Sequence, residues 1–169
     1  MKHILLTLLI AICPILLVAQ NPHCEDDRFN KEVSRYTSNS VPLIDVDELK
    51  SSEGWVLLDA RELEEYDVSH IPGARHVGYD KFSMDQLSGI DPDQKIAVYC
   101  SIGYRSEKIG EKLQKAGFSR VHNVYGSLFE WANRGYELEN SLGEKTNQVH
   151  TYNKKWSRWV LSPEIEKIW

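Results

Sequence analysis

Two short, uninterrupted apolar runs, Trp55-Val-Leu-Leu58 and Ile96-Ala-Val-Tyr99, set the tightest limit on how this chain folds. A strand with one wet face alternates apolar and polar residues. A run without alternation marks a strand covered on both faces. Around these runs, strand-like and helix-like stretches take turns. Pro42–Ile44, His76-Val77 and Val121–Val124 read as further strands. Residues 45–50, 62–68, 83–87, 106–116 and 127–133 read as helices, the last capped by Ser127. Alternation of this kind predicts an α/β fold, a central, mostly parallel sheet flanked by helices on both faces. Ligands of such sheets sit beyond the strands' carboxyl ends. Two polar segments fall there, Asp59-Ala-Arg61 after the first run and Cys100–Ser106 after the second.

Cys100 closes a buried strand and stands before a helix. In that position loop N–H groups can converge on the sulfur, and the helix dipole adds partial positive charge. Both effects lower a thiol pKa from its free value near ~8.5 and favour the thiolate. Ser101, Ile102, Gly103, Tyr104, Arg105 and Ser106 form the predicted substrate cradle. Gly103 permits a positive φ or close backbone approach. Arg105 offers a guanidinium fork to an anionic donor. Ser106 caps the helix and donates toward the sulfur.

Composition narrows the remaining classes. The 169 residues fit one domain with trimmings. A net charge of −5 provides no basic face, so no nucleic-acid partner is expected. The six histidines and three cysteines are scattered, without metal-ligand spacing, and no glycine-rich nucleotide loop is present. Neither a metal nor a cofactor is expected.

The ends differ from the middle. Lys2-His3, the apolar run Ile4–Val18 and the small Ala19 read as a signal peptide, residues 1–19, cleaved after Ala19. Export to a periplasmic or extracellular space follows, with an uncleaved membrane anchor as the alternative. Cleavage removes Lys2 and Cys13, leaving a net charge of −6 and two cysteines, Cys24 and Cys100. Residues 20–41 are polar and aperiodic, read as a linker with one short helix near Asn30–Tyr36. Cys24 within it is expected to be an exposed thiol, or else a resolving thiol that pairs with Cys100. Residues 139–169 form an aromatic C-terminal extension. Trp156, Trp159 and Val160 have helical spacing, and Ser162-Pro163 reads as the start of a last short helix. This extension is expected to pack on the domain.

Four segments together resemble the single-domain rhodaneses, a sulfurtransferase family. They are Leu57-Leu-Asp-Ala-Arg-Glu62, Ser69-His-Ile-Pro-Gly-Ala-Arg-His76, Val98-Tyr-Cys-Ser-Ile-Gly-Tyr-Arg-Ser106 and Val124-Tyr-Gly-Ser-Leu-Phe-Glu-Trp131. The resemblance spans about residues 42–138. It implies a rhodanese-like domain with a persulfide on catalytic Cys100. Its partners would be a small sulfur donor of the thiosulfate type and a thiophilic acceptor, either a small molecule or a protein. Related phosphatases and arsenate reductases carry a longer loop between cysteine and arginine, so the loop here favours sulfur over phosphate. Asp59 and Arg61 are expected to support the sheet edge, Arg61 through an ion pair with Glu65 or Glu130. Two further readings stay open, a non-catalytic binding module on the same fold and a thiol-redox protein using Cys24 and Cys100.

Overall fold

The computed structural model describes residues 22–169. The expected signal peptide, its cleavage site and Cys13 lie outside the described residues. A five-stranded, fully parallel sheet forms the centre. Its strands are β1 (Leu43–Ile44), β2 (Trp55–Asp59), β3 (Arg75–His76), β4 (Lys95–Tyr99) and β5 (Val121–Val124), in the order β1-β5-β4-β2-β3. β4 lies between β2 and β5, with Leu58 opposite Val98 and Asp59 opposite Tyr99. The two segments singled out at the carboxyl edge therefore leave adjacent strands.

Side-chain alternation along β4 feeds two cores. Ala97 and Tyr99 join Phe29, Val33, Leu128 and Phe129 on one face. Ile96, Val98 and then Cys100 join Leu58, Val77, Ile109 and Leu113 on the other. Burying each large aliphatic side chain there contributes roughly 1.5–3 kcal/mol. The second core lies under α4 (Tyr104–Lys115), and the first under α5 (Ser127–Asn133), α2 (Val46–Ser51) and α1 (Asp27–Tyr36). Helix α3 (Leu63–Val68) follows β2, and a 3-10 helix, Met84–Leu87, precedes β4.

Three expectations need correction. The stretch read as a linker holds α1, capped by Asp26, whose carboxylate accepts from the N–H groups of Arg28 and Phe29. The short helix expected near Asn30–Tyr36 is thus present, beginning at Asp27, but Phe29 and Val33 are fully buried, so it packs on the domain instead of lying in a free linker. Helix α4 starts at Tyr104, with Gly103 as N-cap at φ 118°. Ser106 thus lies in its first turn and does not cap it. Helix α5 likewise begins from Gly126, and the Ser127 hydroxyl turns back to donate to the Val124 carbonyl at 2.9 Å.

The C-terminal segment packs as expected but folds differently. β6 (Leu138–Glu139) pairs with β7 (Lys145–Thr146), and β8 (Gln148–His150) pairs with β9 (Glu166–Ile168). The helix expected after Ser162-Pro163 is replaced by β9, whose pairing with β8 overrides the local cap signal. Trp156–Trp159 is a single 3-10 turn. Trp159 packs on Phe29 at 5.7 Å, and Asn133 Nδ2 donates to the Trp159 carbonyl at 2.9 Å.

Candidate active site

Cys100 lies at the bottom of the β4–α4 loop, 1% exposed. The Gly103 N–H donates to its sulfur at 3.2 Å, and the Ser106 hydroxyl lies 3.5 Å away. Burial opposes the thiolate. The Arg105 charge, the Ser106 hydroxyl and N–H, and the Gly103 N–H outweigh it and hold the thiol below its ordinary pKa. The loop geometry is fixed from β5. Asn123 Nδ2 donates to the Gly103 carbonyl at 3.0 Å, and Asn123 Oδ1 accepts from the Ser106 hydroxyl at 2.7 Å. The Cys100 N–H donates to the Ser127 hydroxyl at 3.2 Å. Of Ser106's two hydroxyl contacts, Asn123 is the shorter, so this side chain chiefly orients the loop.

Arg105 is engaged differently from its expected part as an anion clamp. Its fork grips Glu65 through Nη1–Oε2 at 2.5 Å and Nη2–Oε1 at 2.8 Å, and Nη2 also donates to the Ser101 hydroxyl at 3.0 Å. Glu65, on α3, is 3% exposed. Burial raises its pKa, but the bidentate Arg105 contact more than reverses this and holds the carboxyl below its usual value. Arg105's donors are therefore largely committed within the protein, while its charge still acts on the thiol.

Arg61 pairs with Asp59, not with Glu65 or Glu130. Nη2 lies 2.6 Å from Asp59 Oδ2, and both side chains are fully buried. Arg61 also donates to the Ser69 carbonyl at 2.6 Å. This buried pair lies at the carboxyl end of β2, beside the strand that carries the Cys100 loop. Glu130 instead binds Arg134 at 2.7 Å.

Cys24 is neither exposed nor bonded to Cys100. Both thiols are free and buried. Cys24 belongs to the first core and Cys100 to the second, on opposite faces of the sheet. Burial, reinforced by Glu130, pushes the Cys24 thiol well above its ordinary pKa. Its surroundings disfavour the thiolate where those of Cys100 favour it.

Sequence reading misses the Glu65–Arg105 pair, Asn123 and the walls of the pocket above Cys100. The last is a cavity of about 590 Å³ whose lining includes Tyr36 from α1 and Tyr152 and Trp156 from the C-terminal segment. Asn123 leaves a faint trace, an amide two residues after Val121 and therefore on the same face of β5. Glu65 is legible only as an expected partner of Arg61, since acidic residues crowd its helix and nothing local assigns it to Arg105.

The comparisons with known proteins agree with this fold. The Rhodanese-like domain family matches residues 43–134, more than half of the chain, and the chain belongs to that family. YrkF, a candidate sulfur carrier protein of Bacillus subtilis (strain 168), is 31% identical over 107 residues, covering 61% of this chain and 57% of that protein. A tRNA uridine(34) hydroxylase of Enterobacter sp. (strain 638) is 28% identical over 119 residues, covering 67% of this chain and 33% of that one. The chain thus spans less than two thirds of either relative. Among solved structures, a thiosulfate sulfurtransferase from Pseudomonas aeruginosa aligns with TM-score 0.53 and 27% identity, over 67% of this chain and 22% of that one.

Proposed function

We propose that this protein is a sulfurtransferase that carries a sulfane sulfur as a persulfide on Cys100. The observation that carries the reading is the Cys100 loop, with an activated thiol that receives the Gly103 N–H at 3.2 Å and lies under the Arg105 charge. With thiosulfate as reference donor, the Cys100 thiolate attacks the outer sulfur. A new S–S bond forms to Cys100, the donor's S–S bond breaks, and sulfite leaves with the bonding pair. A thiophile such as cyanide then attacks the terminal sulfur, takes it as thiocyanate and returns the thiolate. This is covalent catalysis in two half-reactions. Converging N–H donors and the α4 dipole stabilise the anionic persulfide, as they do the thiolate. Among the relatives are proteins named as tRNA uridine(34) hydroxylases, so sulfur transfer is the point to test.

Intact mass decides it. Protein incubated with excess thiosulfate should gain one sulfur, and lose it on addition of cyanide with release of thiocyanate. Cys100→Ser should gain none while keeping its circular dichroism spectrum. Wild-type protein that never gains sulfur from any sulfane donor would leave a non-catalytic binding module. Export belongs to the same proposal, resting on the Lys2–Ala19 pattern. Protein from its native host should begin at or near Gln20. An intact Met1 in the membrane fraction would favour the anchor.

A further inference from the structure

The mouth of the Cys100 pocket is aromatic and acidic. Five rings line it, Tyr36, Tyr79, Tyr104, Tyr152 and Trp156. Tyr36, Tyr152 and Trp156 lie outside the family match at 43–134, so segments flanking that match build much of the wall. Trp156 meets Tyr36 edge-on at 5.2 Å, joining the C-terminal segment to α1 above the sulfur. Tyr36, Tyr104 and Tyr152 stay 40%, 43% and 59% exposed. Large apolar surface left open around a reactive group usually marks a binding site. A volume of about 590 Å³ suits a small molecule.

The charges choose the molecule. Glu62 and Asp80 line the pocket, and the Glu62 carboxylate, which accepts from the Asp80 N–H at 3.2 Å and caps α3, has no cationic partner among the described residues, nor has Asp80. Arg105, the cation in the lining, spends its fork on Glu65 and already presents its guanidinium to the Tyr152 ring at 5.6 Å. The Cys100 thiolate adds a further negative charge. An inorganic dianion meets net repulsion here, whereas a cation meets carboxylates and ring faces.

We propose that the physiological sulfur donor is a small organic persulfide whose carrier group is an ammonium-type cation, held by Glu62, Asp80 and the aromatic wall. This rests on the persulfide reading of Cys100 and specifies its substrate class. In the loading step the Cys100 thiolate attacks the outer sulfur of R–S–SH. The S–S bond to R breaks, and R–S⁻ leaves and takes the proton. The products are the Cys100 persulfide anion and R–SH.

The test compares cysteamine persulfide with mercaptopropionate persulfide, which transfer the same sulfur and differ in the sign of the remote charge. Loading rates are read by mass for each protein, and their ratio within one protein cancels changes in thiol reactivity. Wild type should favour the cationic donor. Trp156→Ala should lower that preference about 3-fold, the scale of an exposed cation–π contact. Glu62→Gln with Asp80→Asn should lower it by about 3-fold or more, the scale of exposed charge pairs. Equal loading by wild type, a preference for the anion, or a ratio unmoved in both variants would overturn the proposal. Loading by thiosulfate alone would overturn it while leaving Cys100 as the sulfur carrier. Failure of every donor would remove the carrier reading and this proposal with it.

Discussion

Arg105 and Glu65 are locked together by two contacts, 2.5 Å and 2.8 Å, across 40 residues of sequence. The pair joins the cysteine loop to α3, so the positive charge that activates Cys100 is held in place by a residue outside that loop. The arginine acts on the sulfur through its field while its hydrogen bonds stabilise the fold.

The first prediction separates those two roles. Arg105→Gln should leave the Glu65 carboxylate buried without its partner and cost about 3–5 kcal/mol in urea unfolding at neutral pH. Glu65's folded pKa lies below its ordinary 4.5, so the pair's contribution is present above that value and fades as pH falls through the folded one. The gap between variant and wild type should therefore narrow in acid. Glu65→Gln with Arg105→Gln should recover much of the stability. That double variant still lacks the charge beside Cys100, so its thiol should titrate at higher pH than wild type, read as the midpoint of the alkylation rate against pH. An unmoved midpoint would remove Arg105 as the activating group.

Ser106 and Asn123 give a second prediction with a different signature. Ser106→Ala removes one donor to the sulfur and should also raise the pH at which Cys100 becomes reactive. Asn123→Leu removes no direct sulfur contact. It leaves the Gly103 carbonyl without its Asn123 donor and should slow sulfur loading by misplacing the Gly103 N–H. A crystal structure of Asn123→Leu with an unshifted loop and normal loading would remove this positioning role.

The parts of the fold that were legible in the sequence are those set by local pattern. Trp55–Leu58 and Ile96–Tyr99 announced buried strands because both faces are covered, and the Cys100 loop announced itself by strand, glycine, arginine and helix in succession. What stayed hidden depends on distant residues meeting. Nothing in Glu62-Leu-Glu-Glu65 says which acid takes Arg105. Cys24, among His23, Glu25, Asp26 and Asp27, looks solvated until α1 folds over α5. Glu166–Ile168 becomes a strand only because Gln148–His150 supplies its partner.

The buried pair Asp59–Arg61 yields a third prediction, about stability alone. Asp59 accepts from the Arg61 backbone N–H, Nε and Nη2, all within 3.1 Å. Asp59→Ala strands a fully buried guanidinium and should cost about 3–5 kcal/mol, read as a fall in the urea midpoint. Arg61→Met with Asp59→Leu removes both charges at similar volume and should cost less than either single change. A double variant worse than both would show that the ion pair is irreplaceable at this edge.

Cys24 supplies the last prediction, because its environment is the opposite of Cys100's. It sits in the core, raised by burial and by Glu130, against the turn at Gly126. Native protein treated with iodoacetamide near neutral pH should therefore be modified at Cys100, through the pocket, and at Cys24 only after denaturant is added. Cys24→Ser should leave sulfur loading of Cys100 intact, and non-reduced peptide maps should show no Cys24–Cys100 link after air oxidation. The same packing makes Gly126 intolerant. At φ 69°, an added Cβ would stand 2.6 Å from the Cys24 sulfur and 2.7 Å from Glu130 Cβ. Gly126→Ala should destabilise by at least ~1 kcal/mol, from the left-handed backbone and the overpacking together. Combining it with Cys24→Ala relieves one of the two contacts and should restore part of the loss. A Cys24 that alkylates as fast as Cys100 in folded protein, or a Gly126→Ala variant as stable as wild type, would contradict the burial of this thiol and return it to the redox reading.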